Sequence, residues 1–178
     1  MAGTFDNWTD QQWKDRFRTL RASSLAAIFE LGKYVQEFRK EFRAHPERWG
    51  GNAQWTVICQ NTTGLSNSTC SMYETVWRVL GSVKESEGHW RLDKLPSSLR
   101  TLYHISRAYE IDPGTVHRAM TECTRCGSPY SDYPIHPDMS REDASSLVKE
   151  AEEFVEEARQ EAELMEAERI AELEEKGI

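Results

Sequence analysis

Large apolar residues in the first quarter of this chain recur at steps of three and four, and this spacing restricts the fold more than any other feature. An α-helix turns about once every 3.6 residues, so such steps place the side chains on one helical face. The stripe consists of Trp13, Phe17, Leu20, Ile28, Leu31, Val35, Phe38 and Phe42. The capping pair Thr9 and Gln12 predicts a start near Asp10. His45-Pro46 predicts the end, because the residue before a proline avoids the helical region.

Caps and helix breakers predict five further helices. The expected segments are Asn52 to Thr62, Asn67 to Gly81, a helix opened by Leu95-Pro96-Ser97-Ser98, a short helix capped by Asp112-Pro113-Gly114, and a last helix from Ser140 towards Lys176. Residues 123–137 are rich in turn-forming residues, which predicts a loop before the last helix. Since almost no segment alternates with period two, we predict an all-α, multi-helix fold with long first and last helices.

The segment from Trp55 to Tyr73 has the layout of a helix-turn-helix, in which two helices are joined by a tight turn. Gly64 tolerates the positive φ that the turn needs, and Ser66 can cap the second helix. The apolar residues that flank the turn are Ile58, Cys59, Leu65, Cys70 and Tyr73. Gln60 departs from the pattern, because a small residue is usual where the first helix faces the second. The layout favours a protein that presents a helix end to the DNA major groove.

Short polar side chains would project from the start of this second helix, where they could contact phosphates and base edges. The proposed base-contacting residues are Ser66, Asn67, Ser68, Thr69 and Ser71. No arginine lies early in the helix for a bidentate contact with guanine. The proposed phosphate-contacting residues are Arg78, Lys84, Arg91, Lys94 and Arg100. The alternative is an ordinary polar helix-loop-helix with an exposed cap.

The charge of the chain is distributed unevenly. The net charge of −8 opposes DNA binding, yet residues 1–100 have a balance of +3 and residues 141–178 have a balance of −9. The acidity is therefore local to the C-terminal tail, and the remaining surface is weakly basic. We expect the acidic helix to point away from DNA.

Three segments carry a resemblance to a known class of proteins. They are Gly64-Leu65-Ser66, then Leu95-Pro96-Ser97-Ser98, then Ile135-His136-Pro137-Asp138-Met139-Ser140-Arg141. In this order they resemble phage- and plasmid-encoded helix-turn-helix proteins, which are distantly similar to the DNA-binding part of ParB-type partition proteins. The resemblance covers roughly Leu31 to Leu147. It implies sequence-specific binding of double-stranded DNA, usually by a homodimer, in transcription regulation or partition of a mobile element.

Two cysteines at the end of the fifth helix raise the possibility of a metal site. Cys123 and Cys126 have the spacing that lets two thiolates hold one zinc ion, and His117 and His136 could complete the site. The alternative is two ordinary cysteines at a helix end. Since the sequence has no GxxxxGK, GxSxG or HExxH motif, we expect no enzymatic activity and no cofactor.

The tail carries a second apolar stripe. Its members are Leu147, Val148, Ala151, Phe154, Val155, Ala158, Ala162 and Met165, and Ile170 and Leu173 resume it after a slip. The tail is either a solvated single helix or a pairing segment, against a second copy or against the long N-terminal helix. The acidic tail also leaves open a different function, that of a helical protein-interaction module. Such an adaptor or inhibitor could imitate DNA phosphates with its acidic surface.

These interpretations divide the 178 residues into four parts. They are the N-terminal helix and loop (1–51), the helix-turn-helix DNA-binding core (52–128), a loop (129–139) and the acidic C-terminal helix (140–178). The apolar runs are too short to span a membrane, and the first residues lack the basic and apolar regions of a signal peptide. We therefore expect a cytoplasmic protein, with its four cysteines as free thiols.

Overall fold

The computed structural model describes residues 10–51, 54–81, 94–122 and 125–175, and side chains within these ranges from residue 25 to residue 173. The predicted all-α class is confirmed: the described ranges contain six α-helices and no β-strand. The helices are α1 (Asp10–Ala44), α2 (Trp55–Thr63), α3 (Asn67–Val76), α4 (Leu99–Ile111), α5 (Pro113–Met120) and α6 (Arg141–Glu175). A 3₁₀ turn follows α1 at Pro46–Trp49, and a π-helical turn extends α3 at Trp77–Gly81.

Local capping chemistry sets the starts of α3, α4 and α6, as predicted. The side chains of Ser66 and Ser98 each accept the backbone amide three residues ahead, and Ser140 accepts the Asp143 amide over 3.0 Å. The predicted start of α2, Asn52, lies outside the described residues. Gln54 has the extended backbone of an N-cap (φ −81°, ψ 134°), so the helix begins at Trp55.

The main core joins α3, α4, α5 and α6 with part of α1. Its largest fully buried side chains include Leu80, Leu102, Ile105, Val116 and Leu147. Leu25 and Phe29 of α1 and Ala144 and Ala151 of α6 belong to the same cluster. The middle of α1 and the first eleven residues of α6 are therefore anchored in this core.

A second, smaller cluster lies between α1, α2 and α3. It contains the buried residues Val35, Cys59 and Cys70, with Trp55 packed against them. The two helices α1 and α3 cross closely at Gly32, where an added Cβ would lie 2.3 Å from the Tyr73 carbonyl oxygen. A glycine at this crossing lets α3 approach α1 more closely than any side chain would allow.

The long helix α6 leaves the core after its first eleven residues. Ala144, Leu147 and Ala151 are fully buried, whereas every residue from 152 to 173 is exposed. We call residues 152–173 distal α6; at about 1.5 Å per residue, this segment is about 33 Å long. Among the described helices, none combines the length and apolar character needed to cross a membrane.

Candidate nucleic-acid interface

The turn between α2 and α3 is closed by backbone and hydroxyl hydrogen bonds. Gly64 has φ 71° and ψ 3°, so the predicted positive φ is confirmed, and its amide donates to the Gln60 carbonyl oxygen over 2.9 Å. The Thr63 hydroxyl donates to the Cys59 carbonyl oxygen over 2.7 Å and accepts the Leu65 amide over 3.1 Å. These bonds fix the direction in which α3 leaves the turn.

Two thiols form the contact between α2 and α3. Cys59 and Cys70 are both completely buried, and the Cys59 thiol donates to the Cys70 sulfur over 3.1 Å. Burial, reinforced by the hydrogen bond to Cys70, raises the pKa of Cys59 to about 11, so this thiol stays protonated at neutral pH. The expected misfit at Gln60 is wrong. Gln60 is exposed, because the residue facing α3 is its small neighbour Cys59, about 100° away around the helix.

The five proposed base-contacting residues differ in exposure. Ser66 and Ser68 are exposed, whereas Asn67, Thr69 and Ser71 are half-buried. The Ser66 hydroxyl accepts the Thr69 amide over 3.2 Å and lies 2.8 Å from the Thr69 hydroxyl, which confirms Ser66 as the N-cap. The Ser68 hydroxyl lies 2.9 Å from the Ser66 hydroxyl. Three hydroxyl groups therefore surround the N-terminus of α3.

Residues of neighbouring helices bind Asn67 and Ser71. The indole nitrogen of Trp55 donates to Asn67 Oδ1 over 2.8 Å, and the Arg39 guanidinium donates to the Ser71 hydroxyl over 3.4 Å. Arg39 also lies over the Trp55 ring, 4.8 Å from its centroid, and pairs with Glu74 at 3.0 Å. Arg39 thus links α1, α2 and α3, and both Asn67 and Ser71 help to orient α3.

The surface beside this turn is polar but uncharged. Residues 49–73 contain no Asp, Glu, Lys, Arg or His. We define the neutral surface as the exposed polar residues of α2 and the start of α3: Thr56, Gln60, Asn61, Thr62, Ser66 and Ser68. Gln60 and Asn61 are absent from the predicted set of base-contacting residues. Both residues could have been predicted from their side-chain amides, since an amide can pair with adenine through two hydrogen bonds.

The proposed phosphate-contacting residues have different surroundings. Arg78 pairs with Glu110, which also pairs with Arg107 at 3.2 Å. Arg78 lies eleven residues beyond the start of α3, a distance of about 17 Å at a helical rise. Arg100 is exposed and Lys94 is half-buried. Lys84 and Arg91 lie outside the described residues.

The proposed zinc ligands are only partly described. Cys123 lies outside the described residues, and Cys126 is exposed. The His117 ring packs edge-on against Tyr109, with ring centroids 6.0 Å apart, and His136 Nδ1 accepts the Asp138 amide over 3.2 Å. Within the described part of the chain, no three His, Cys, Asp or Glu side chains form a group that could hold a metal ion. The zinc site stays a hypothesis, since one of its four residues is not described.

The pair α4–α5 also has the shape of two helices joined by a short turn, but its second helix begins with a carboxylate. Asp112 accepts the amides of Gly114 and Thr115 over 3.1 and 2.7 Å, and the Thr115 hydroxyl donates to it over 2.7 Å. Burial by itself would raise the pKa of Asp112. The hydrogen bonds from Thr115 and Gly114 and the nearby Arg118 charge outweigh burial and lower that pKa. The N-terminus of α5 is thus occupied by a negative charge of the protein itself.

Comparison of the chain with protein-family models, with curated proteins and with solved structures gives no match.

Proposed function

We propose that this chain is a sequence-specific double-stranded DNA-binding protein that acts as a homodimer, with the start of α3 entering the major groove. One observation carries the proposal: the neutral surface beside a helix N-terminus that has a hydroxyl cap. The sequence resemblance favours a role in transcription regulation or partition of a phage or plasmid element.

The chemistry of the neutral surface suits contact with base edges. Hydroxyl groups such as that of Ser68 can donate to or accept from a base, and the amides of Gln60 and Asn61 match the donor and acceptor pair of adenine. The N-terminus of α3 carries a partial positive charge, and Ser66 caps it without adding a negative one. A phosphate oxygen can therefore approach this end without charge repulsion from the cap.

Affinity must come from outside the neutral surface, because uncharged side chains release no counterions from DNA. Arg100 is exposed, and Lys94 lies five residues before α4 begins. These residues, with Lys84 and Arg91, would contact phosphates. A dimer would double the number of such contacts and would set two half-sites about 34 Å apart, one turn of DNA.

The test is selection of bound fragments from a random pool of double-stranded DNA by the full chain, followed by titration of the selected site at several salt concentrations. We expect one enriched sequence, with binding that weakens steeply as salt rises. A pool that stays random would contradict the proposal.

A triple variant then tests the neutral surface. Replacing Gln60, Asn61 and Ser68 with alanine should remove most of the preference for the selected sequence, since all three are exposed. Each lost base contact should lower discrimination by about 1–3 kcal/mol. The matched control is Ser97→Ala, an exposed serine just before the α4 cap. Full sequence preference in the triple variant would show that another surface contacts the bases.

Distal α6 favours a second candidate function, that of a protein-interaction module. This segment is exposed along its whole length and contains nine glutamates and two arginines. An adaptor or inhibitor would use this acidic helix to bind a basic partner. Selection would then return no DNA sequence, and adding the full chain would release a basic protein from DNA.

A further inference from the structure

The apolar stripe of α6 continues beyond the core without a break. Its buried part consists of Ala144, Leu147 and Ala151. The same steps of three and four lead on to Phe154, Ala158, Ala162 and Met165. Residues at these steps share one face of a helix. Distal α6 therefore extends the face that α6 already uses to pack against the core.

This continued face has almost no cover in the single chain. Phe154 is 45% exposed, and the Arg118 guanidinium lies over its ring, 4.3 Å from the ring centroid. Met165, the last member of the stripe, is 66% exposed. Beyond the slip in the spacing, Ile170 and Leu173 are 48% and 40% exposed. An apolar helical face of this length is unusual on a monomer and is typical of an interaction site.

The charge of distal α6 restricts the partner. Both of its arginines are already paired within the helix, Arg159 with Glu156 at 2.8 Å and Arg169 with Glu166 at 3.0 Å. The segment has a net charge of −7, so two copies packed side by side would bring a charge of −14 together. Like charges at helix-packing distance repel. The complementary partner is a helix with an apolar stripe and a basic surface.

The first part of α1 has this composition. Residues 10–24 are helical, and their sequence contains four basic residues, Lys14, Arg16, Arg18 and Arg21, and two aspartates. The apolar residues Trp13, Phe17 and Leu20 recur there at steps of four and three. At about 1.5 Å per residue, this segment is about 22 Å long and fits within the 33 Å of distal α6.

We propose that distal α6 binds residues 10–24 of α1 from a second copy of this chain, and that the same contact is made in the other direction. Distal α6 extends from the main core towards its C-terminus after Ala151, and residues 10–24 belong to the same helix as Leu25 of that core. Two reciprocal contacts form a closed two-fold dimer in which the same surfaces are used twice. This contact would supply the interface of the homodimer in the proposed function, and the dimer would form without DNA.

The test is the molecular mass of the full chain without DNA, measured by sedimentation equilibrium at micromolar concentration. Variant A reverses the basic segment, with Lys14, Arg16, Arg18 and Arg21 changed to Glu. Variant B reverses the acidic segment, with Glu161, Glu166, Glu168 and Glu172 changed to Lys. We expect the unchanged chain to be a dimer and each variant alone to dissociate, with Kd raised about tenfold or more by charge repulsion.

Mixing the two variants distinguishes the proposed partner from others. In the mixture each acidic segment faces a basic one again, so we expect a one-to-one heterodimer of A and B. A monomeric unchanged chain, or a mixture that stays monomeric while circular dichroism shows both variants folded, would overturn the proposal. Variant A remaining a dimer would also overturn it, because distal α6 would then have a different partner.

Two neighbouring residues provide a matched test of the apolar face. Met165 lies on the stripe, whereas Leu164 lies off it, about 100° around the helix, and the two are 66% and 67% exposed. Met165→Glu should dissociate the dimer, and Leu164→Glu should leave its mass unchanged. Equal effects of the two changes would contradict packing through the stripe. Since no DNA is present, failure here and failure of the DNA selection are separate results.

Discussion

The helix pairs α2–α3 and α4–α5 have similar outlines but are held together by different chemistry. The first pair packs through two thiols, Cys59 and Cys70, whereas the second packs through hydrocarbon side chains such as Leu102 and Val116. A neutral hydroxyl caps α3, and a carboxylate caps α5. The second pair also lies against the buried part of α6. Both helices of the second pair line the main core, whereas the first pair contributes only α3 to it and leaves the start of that helix open at the surface.

The largest expected effect concerns the core. Leu102 of α4 is completely buried, so Leu102→Ala removes packed methyl groups and leaves a cavity. We expect the free energy of unfolding in urea to fall by about 2–5 kcal/mol. The control is Val57→Ala in α2, where the side chain is 53% exposed and the change should stay within about 0.5 kcal/mol. Similar losses in the two variants would contradict the burial of Leu102 in the main core.

The thiol contact predicts a large difference in chemical reactivity. Cys59 is buried and its pKa is raised to about 11, while Cys126 is exposed. Only the thiolate reacts with alkylating agents, so Cys59 should react on the order of a hundredfold more slowly than Cys126 at pH 7.5. Peptide mass spectrometry after timed labelling measures both rates. Labelling in urea is the control, because unfolding should abolish the difference in rate. Equal rates in the folded protein would contradict the burial of Cys59 against Cys70.

The smallest effect distinguishes the two caps by pH. Ser66→Ala and Asp112→Ala should each lower the free energy of unfolding by about 1 kcal/mol at pH 7. The pKa of Asp112 in the folded protein lies below its ordinary value of about 3.9. The carboxylate therefore contributes fully to stability above about pH 3.9, and this contribution is lost as the pH falls through the folded pKa. The effect of Asp112→Ala should therefore shrink in acid, while that of Ser66→Ala stays constant. Parallel pH profiles would contradict this.

Features set by local chemistry could be predicted from the sequence. The start of α3 at Asn67, the positive φ at Gly64 and the start of α6 after Ser140 each depend on residues within a few positions. Caps and turns act through hydrogen bonds to the nearest backbone groups, so a short stretch of sequence contains the whole cause.

Features set by distant partners could not be predicted. Asn67 accepts a hydrogen bond from Trp55, twelve residues away, and Ser71 accepts one from Arg39, thirty-two residues away. The sequence pattern also predicts that Gln60 of α2 faces α3. In the structure the preceding residue, Cys59, faces α3 instead. A hydrophobic pattern indicates which side of a helix is buried, but not which neighbour covers each position.

The projection of distal α6 has a consequence for how the molecule moves near charged surfaces. Its exposed glutamates lie outside the body of the protein, while residues 1–100 have a balance of +3. This separation gives the chain an electric dipole along the projecting helix. Near an extended polyanion a single chain would turn before contact, with residues 1–100 leading and distal α6 trailing. Distal α6 thereby influences the orientation of a single chain's encounter from a distance, an effect that acts on the association rate more than on the dissociation rate.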